Sequence, residues 1–174
     1  YLMLKSKIFK SLFAIALPVL IFATPAKAAN FEWKDYNVQF VLPDDMKITA
    51  NTGEKFEAES SGLSFDIYPW KDAKETAQNI AKEAFATLGK ELEVDPKTAK
   101  TSDGGALKIN EYDAYLMEGE GKAKDGALIY AVIGMIDPGS EVNFAAYVYF
   151  YSEDKEEALK KAVGILKSIK KMKK

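Results

Sequence analysis

Between Val142 and Ser152 the chain reads VNFAAYVYFYS, and neither face of that segment is polar. In an extended conformation Phe144, Ala146, Val148 and Phe150 point one way, and Ala145, Tyr147, Tyr149 and Tyr151 point the other. The run Ala127–Ile136 is apolar on both faces as well. A strand without a polar face loses stability wherever one side meets water. It belongs in the middle of a sheet that is covered on both sides. The rest of the chain must therefore supply more strands and two covering layers.

The pattern predicts both. Strands are expected within Phe31–Leu42, over Lys47–Ala50, around Phe56 and Ala58, and over Leu63–Ile67. In the last two, apolar residues alternate with Glu57, Glu59, Ser64 and Asp66, as a half-buried hairpin requires. Four more strands are expected at Ala106–Tyr112, Ala114–Gly121, Ala127–Ile136 and Val142–Ser152. Turn signals near Asp113, at Lys124-Asp125-Gly126 and at Asp137-Pro138-Gly139 separate them. One helix is predicted from Asp72, with Glu75 completing a carboxylate capping box and Gly89 as the C-terminal stop. Its apolar stripe would be Ala73, Ala77, Ile80, Ala81, Ala84, Phe85 and Leu88. The stretch from Lys90 to Gly105 reads mostly as a loop. A second helix starts near Asp154 and buries Leu159, Ala162, Val163, Leu166 and Ile169. This order gives an α+β fold: an antiparallel β-sheet covered by helices.

The N-terminus carries a different message. Lys5, Lys7 and Lys10 precede an apolar run from Ser11 to Thr24, which ends in Pro25-Ala26-Lys27-Ala28. A basic start, a short apolar stretch and small residues at Ala26 and Ala28 form the three-part pattern of a secretory signal peptide. The run is shorter than the roughly 20 residues of a membrane-spanning helix, and Pro18 interrupts it. We therefore expect a signal peptide at 1–28, cleavage after Ala28, and a single globular domain at 29–174 in the periplasm or secreted. No membrane span remains after cleavage.

Composition narrows the chemistry. Histidine and cysteine are absent, and every basic residue is lysine. Triads and dyads built on histidine, zinc sites built on histidine or cysteine, disulfides, and bidentate arginine clamps are all unavailable. Of 24 lysines, four leave with the leader, so 20 face 26 acids and the net charge moves from −2 to −6. Such a domain is a poor partner for nucleic acid.

Two groups of residues invite a functional reading. Tyr68, Trp70, Tyr130, Tyr147, Tyr149 and Tyr151 could present an aromatic face to a ligand or protein. The competing expectation is that this face packs under a helix or the N-terminal hairpin, with hydroxyls at its rim. Glu57, Glu59 and Asp66 share the polar face of one hairpin and are the acids that could meet a divalent ion or perform acid–base work. Their simpler reading is a solvated strand face, and no metal-binding spacing accompanies them. Asp44-Asp45 and Asp137–Glu141 read as turns. Glu118-Gly119-Glu120-Gly121 reads as a bent strand end, since it lacks the helix and Lys-Ser ending of a phosphate loop. Lys167, Lys170, Lys171, Lys173 and Lys174 read first as complements to a helix dipole, and second as contacts for an anionic surface.

Four segments carry a family resemblance: Tyr36–Pro43 (YNVQFVLP), Leu63–Ile67 (LSFDI) before a helix, Ile109–Tyr115 (INEYDAY), and Asn143–Tyr151 followed by the helix ending Ile165–Ile169. Together they resemble the PsbP-like superfamily, which includes the extrinsic P subunit of the photosynthetic oxygen-evolving complex and the Mog-type Ran-binding proteins. The resemblance implies an α/β/α sandwich, no catalysis, and a binding or assembly role. A tryptophan that many relatives carry near Met46 is missing here, and histidine metal sites cannot be carried over. The resulting expectation is an exported, non-catalytic binding or accessory domain, a monomer or weak dimer, with no cofactor and an unidentified extracytoplasmic protein or small ligand as partner. The alternatives are a small-ligand or divalent-ion binder and a carboxylate-based glycan hydrolase.

Overall fold

The computed structural model describes residues 28–72, 74–151 and 155–172. The expected leader and its small residues Ala26 and Ala28 fall outside them, apart from the backbone of Ala28. Ten strands and two α-helices are present among the described residues: β1 (Ala28–Trp33), β2 (Val38–Pro43), β3 (Lys47–Asn51), β4 (Phe56–Glu59), β5 (Ser64–Trp70), α1 (Ala77–Glu91), β6 (Lys100–Ile109), β7 (Tyr112–Ala123), β8 (Gly126–Ile136), β9 (Asn143–Tyr151), α2 (Lys155–Ser168) and β10 (Lys170–Lys171). A single 3-10 turn at Lys34–Tyr36 links β1 to β2.

Seven strands form one antiparallel sheet in the order β3-β4-β5-β9-β8-β7-β6. The two strands that are apolar on both faces, β8 and β9, lie in its interior, as their composition demands. Helix α1 covers one face. The other is covered by α2 and by a small sheet of order β1-β2-β10. This is an α+β sandwich whose second outer layer is part helix and part sheet.

The larger core lies under that mixed layer. Phe40 of β2 stands 4.8 Å from Phe56 and 5.2 Å from Phe65, ring centre to ring centre. All three are fully buried, and each contributes about 2 kcal/mol by leaving water. Helix α2 turns Ala158, Ala162, Ile165 and Leu166 inward. The Ser168 hydroxyl ties its end to β2 by accepting the Val41 N–H at 2.8 Å.

Several local expectations are corrected. Helix α1 is capped by Thr76, whose hydroxyl accepts the Asn79 N–H at 3.2 Å, and not by Asp72. Asp72 is held in a turn instead: its carboxylate accepts the Lys74 N–H at 2.9 Å, and its carbonyl accepts the Asn143 amide at 3.0 Å. Gly89 does not end the helix. The helix runs on to Glu91, and its end closes at Glu93, which takes a φ of +50°, with the N–H groups of Glu93 and Val94 reaching the carbonyls of Lys90 and Gly89. β6 begins at Lys100, inside the expected loop, and Gly105, with φ +85°, forms a bulge within it. The turn after β6 falls at Asn110, with φ +50°, so Tyr112 already belongs to β7. In α2, Ala158 and Ile165 take the places expected for Leu159 and Val163, which are half-buried. The terminal lysines are not simply a helix end. Lys170 and Lys171 form β10 against β2, and the Lys171 ammonium pairs with the buried Asp137. Gly119 and Gly121 lie within β7 and not at its end. A Cβ on Gly119 would come within 2.7 Å of the Tyr130 hydroxyl and 2.8 Å of Phe85, so the empty position lets α1 settle.

Candidate functional site

Helix α1 lies over β7 and β8 and reaches β9 with its edge. On the same face, β4, β5 and the near side of β9 extend beyond it. Strand pairing then determines what this open area displays. Glu57 of β4 lies directly opposite Asp66 of β5, and Asp66 lies directly opposite Tyr147 of β9. In the next row Glu59, Ser64 and Tyr149 align in the same way. The tyrosine set and the carboxylate set, far apart in sequence, therefore meet on one surface.

The contacts within it are specific. The Tyr68 hydroxyl donates to Glu57 Oε1 at 2.9 Å, and the Lys55 ammonium lies 2.7 Å from the same oxygen. The rings of Tyr68 and Tyr147 are 5.1 Å apart at an angle of 37°. Tyr149 shares a side-chain hydrogen bond with Ser64. Among the described residues the Asp66 carboxyl makes no hydrogen bond or ion pair, although its residue is half-buried. Two carboxylates facing each other across paired strands repel. Lys55 pairs directly with Glu57, whereas it acts on Asp66 only from a distance.

Proton affinities follow from this arrangement. Burial, reinforced by Glu57, raises the Asp66 carboxyl to about 7. The hydrogen bond from Lys55 lowers Glu57 against a smaller opposing effect of burial. Burial raises Tyr68, with the negative charge of Asp66 adding to it. Burial also lifts Tyr147 to about 12, with Glu91 at the end of α1 contributing. Near neutral pH the surface thus holds one carboxylate firmly ionised and one close to its midpoint.

The remaining expected residues separate. Tyr130 is buried under α1, stacked on Phe85 at 4.9 Å, and belongs to the core. Trp70 is half-buried at the far end of β5, opposite Asn143. Tyr151, at 39% exposed, stands at the opposite end of β9 beside Gly126. Of the six aromatic residues, Tyr68 and Tyr149 join the site, and Tyr147 is buried behind them in the core at the edge of α1. Glu59 lies at its exposed rim. Among the described residues no three acids come together as a metal-binding group. Sequence reading missed Lys55 and Glu91. Lys55 could have been found, because residues 55 and 57 share one face of a strand. Glu91 could not, because its place depends on how α1 crosses the sheet.

Concavities also lie elsewhere among the described residues. A groove of about 790 Å³ runs between β2 and α2, lined by Val41, Pro43 and Ile165 with Asp45, Lys160 and Lys161 at its rim. A second, of about 490 Å³, brings Lys97, Lys100, Lys122 and Lys155 around Glu120. No helix among the described residues is long and apolar enough to cross a membrane.

No sequence family model matches the chain, and no curated protein matches it by sequence. Solved structures do. LpqN of Mycobacterium tuberculosis, described as involved in cell envelope biogenesis, is 12% identical with a TM-score of 0.59, over 84% of this chain and 91% of that one. The cyanobacterial PsbP of Synechocystis, CyanoP, is 10% identical with a TM-score of 0.57, over 89% and 98%. The Ran-binding protein Mog1p of Saccharomyces cerevisiae is 6% identical with a TM-score of 0.52, over 82% and 86%. The chain spans 48% of the length of a Bacteroides thetaiotaomicron structure that it also matches, at 14% identity. These likenesses establish the PsbP/Mog1-like fold expected from the four sequence segments.

Proposed function

We propose that this chain, which has the PsbP/Mog1-like fold, is an exported, non-catalytic domain that acts by binding a protein partner. The binding surface is the open sheet face formed by the half-buried Glu57, Asp66, Tyr68 and Tyr149, with Tyr147 buried behind them at the edge of α1. One observation carries the reading: these side chains converge on the part of the sheet that α1 leaves open, so a row of half-buried aromatic and acidic groups faces outward. Aromatic residues at such positions supply much of the energy of protein association. The leader-like pattern of residues 1–28 supports export, and the lack of histidine and cysteine supports a role without catalysis. A binding role and a cell-envelope role stand in the descriptions of Mog1p and LpqN, respectively.

The test is crosslinking in the extracytoplasmic fraction with a photoreactive residue at position 149, compared with one at Lys160 in the opposite groove. A discrete adduct at 149 that disappears with Tyr68→Ala supports the reading. Equal adducts at both positions, or none together with a measured turnover, would remove it.

A second reading, hydrolysis of glycans, draws on the unequal proton affinities of Glu57 and Asp66, since such pairs serve as acid and base. It requires reducing sugar to be released from a glycan by the native protein and not by Asp66→Asn. Glu57 Oε1 is already engaged by Lys55 and Tyr68, which favours binding over hydrolysis.

A further inference from the structure

Three features of the open face specify the kind of group that would complete it. First, the register places Glu57 and Asp66 directly opposite each other, an arrangement that is unfavourable unless a positive charge joins it. The chain already brings one cation there: Lys55, 2.7 Å from Glu57. Second, among the described residues the Asp66 carboxyl, half-buried between the two neighbouring strands, has no hydrogen-bond or ion-pair partner of its own. Third, the half-buried ring of Tyr68 lies beside that carboxyl on its own strand, backed at 5.1 Å by the buried ring of Tyr147 across the register. Aromatic faces next to carboxylates favour organic cations, whose charge is attracted by the ring and whose methylene groups lose water against it. Calcium takes six to eight oxygens, and no third acid joins this pair in a metal-binding group among the described residues.

We infer that the open face takes a basic side chain, lysine or arginine, from its protein partner, with the ammonium or guanidinium group on Asp66 and the stem against Tyr68. This rests on the binding role proposed above and assigns the chemistry of the partner. The charged groups facing Asp66 are Glu57 and Glu59 from β4, Lys55 just before it, and Glu91 from α1. The titratable neighbours are Tyr147 and Tyr149 on β9 and Tyr68 on its own strand. Acids outnumber Lys55 here, so an incoming cation is favoured by the whole neighbourhood. Binding requires Asp66 to be ionised, and its proton leaves to solvent as the cation arrives. Because its carboxyl titrates at about 7, the competent fraction rises roughly tenfold between pH 6 and pH 8.

The experiment is a nuclear magnetic resonance titration of the protein, purified after expression of the full chain, with the blocked peptide acetyl-Gly-Lys-Gly-amide. The same peptide carrying acetylated lysine, and calcium chloride, are run in parallel. The expected result is saturable shifts at Tyr68, Tyr147 and Asp66, about tenfold tighter binding at pH 8 than at pH 6, and no binding of the acetylated peptide. Asp66→Asn should weaken binding at least tenfold and abolish the pH dependence. Asp45→Asn, on the other side of the sheet, should leave both unchanged. Tyr68→Phe, which keeps the ring, provides a second variant and should weaken binding less than threefold. Equal binding by Asp66→Asn, shifts spread evenly over the acidic surface, or displacement of the peptide by calcium at lower concentration would each overturn the inference. If position 149 crosslinks a partner while the peptide fails here, the binding face stands and the cation assignment falls.

Discussion

One face of the seven-stranded sheet meets two different surroundings. Under α1, β7 and β8 present Gly119, Gly121 and Gly134 beneath the helix or the segment that follows it. A Cβ on Gly134 would stand 2.8 Å from the Ala81 nitrogen and closer still to the Ala77 carbonyl oxygen. The helix therefore rests on backbone. Beyond its edge, β4, β5 and β9 present Glu57, Asp66, Tyr68 and Tyr149, all large and all polar at their tips. The covered half is complete: side chains are removed where the helix approaches, and Tyr130 fills the space against Phe85. The open half retains two facing acids, and among the described residues the Asp66 carboxyl has no hydrogen-bond or ion-pair partner. Such a surface costs stability until another group joins it, which is how a binding face differs from a core.

The contrast can be broken most severely at Gly134. Gly134→Ala should destabilise the protein by about 3 kcal/mol, because the obstructing atoms belong to the helix backbone and cannot rotate away. Urea denaturation would show it, and a loss below about 0.5 kcal/mol would mean that α1 is seated differently. On the open half, Asp66→Asn should act in the opposite direction. The folded state keeps a proton up to about pH 7 that the unfolded chain releases near its ordinary value. The contribution of Asp66 to stability should therefore fall as pH rises from about 4 to about 7 and then level off. The variant lacks that fall and should be more stable by about 2 kcal/mol at pH 8, with no difference at pH 3.5. A difference that did not vary with pH would place Asp66 in open water. Gly119→Ala meets ring atoms that can shift, so about 1.5 kcal/mol is expected, with part recovered when Tyr130→Leu makes room in a double-mutant cycle. Smallest should be Tyr68→Phe, which removes one hydrogen bond to Glu57 and costs about 1 kcal/mol or less by thermal denaturation.

Much of the architecture was legible from pattern. The two-sided apolar runs at Ala127–Ile136 and Val142–Ser152 implied interior strands, and those strands are β8 and β9. The polar-faced hairpin of Glu57, Glu59 and Asp66 is formed by β4 and β5 as its alternation required. Element ends were less legible. Asp72 and Thr76 are both chemically able to cap a helix, and a contact from Asn143, 71 residues away, holds Asp72 in its turn. Lys100 to Gly105 reads as loop because its glycines obscure the alternation, yet pairing with β7 makes it strand. A glycine near the end of an apolar stripe reads as a stop. Gly89 instead lies within the helix because hydrogen bonds beyond it close the end at Glu93.

The site divides along the same line. Sequence alone determined which faces of β4, β5 and β9 carry acids and tyrosines, because strand side chains alternate with a period of two whatever the neighbours are. It also determined that histidine, cysteine and arginine could take no part. Only the tertiary structure decided that β5 pairs with β9, which brings Asp66 opposite Tyr147 across 81 residues of chain. Only it decided that α1 reaches β9 with its edge and leaves β4 and β5 beyond it. Periodicity is a local property of the chain, whereas strand order and helix coverage depend on how the whole core packs.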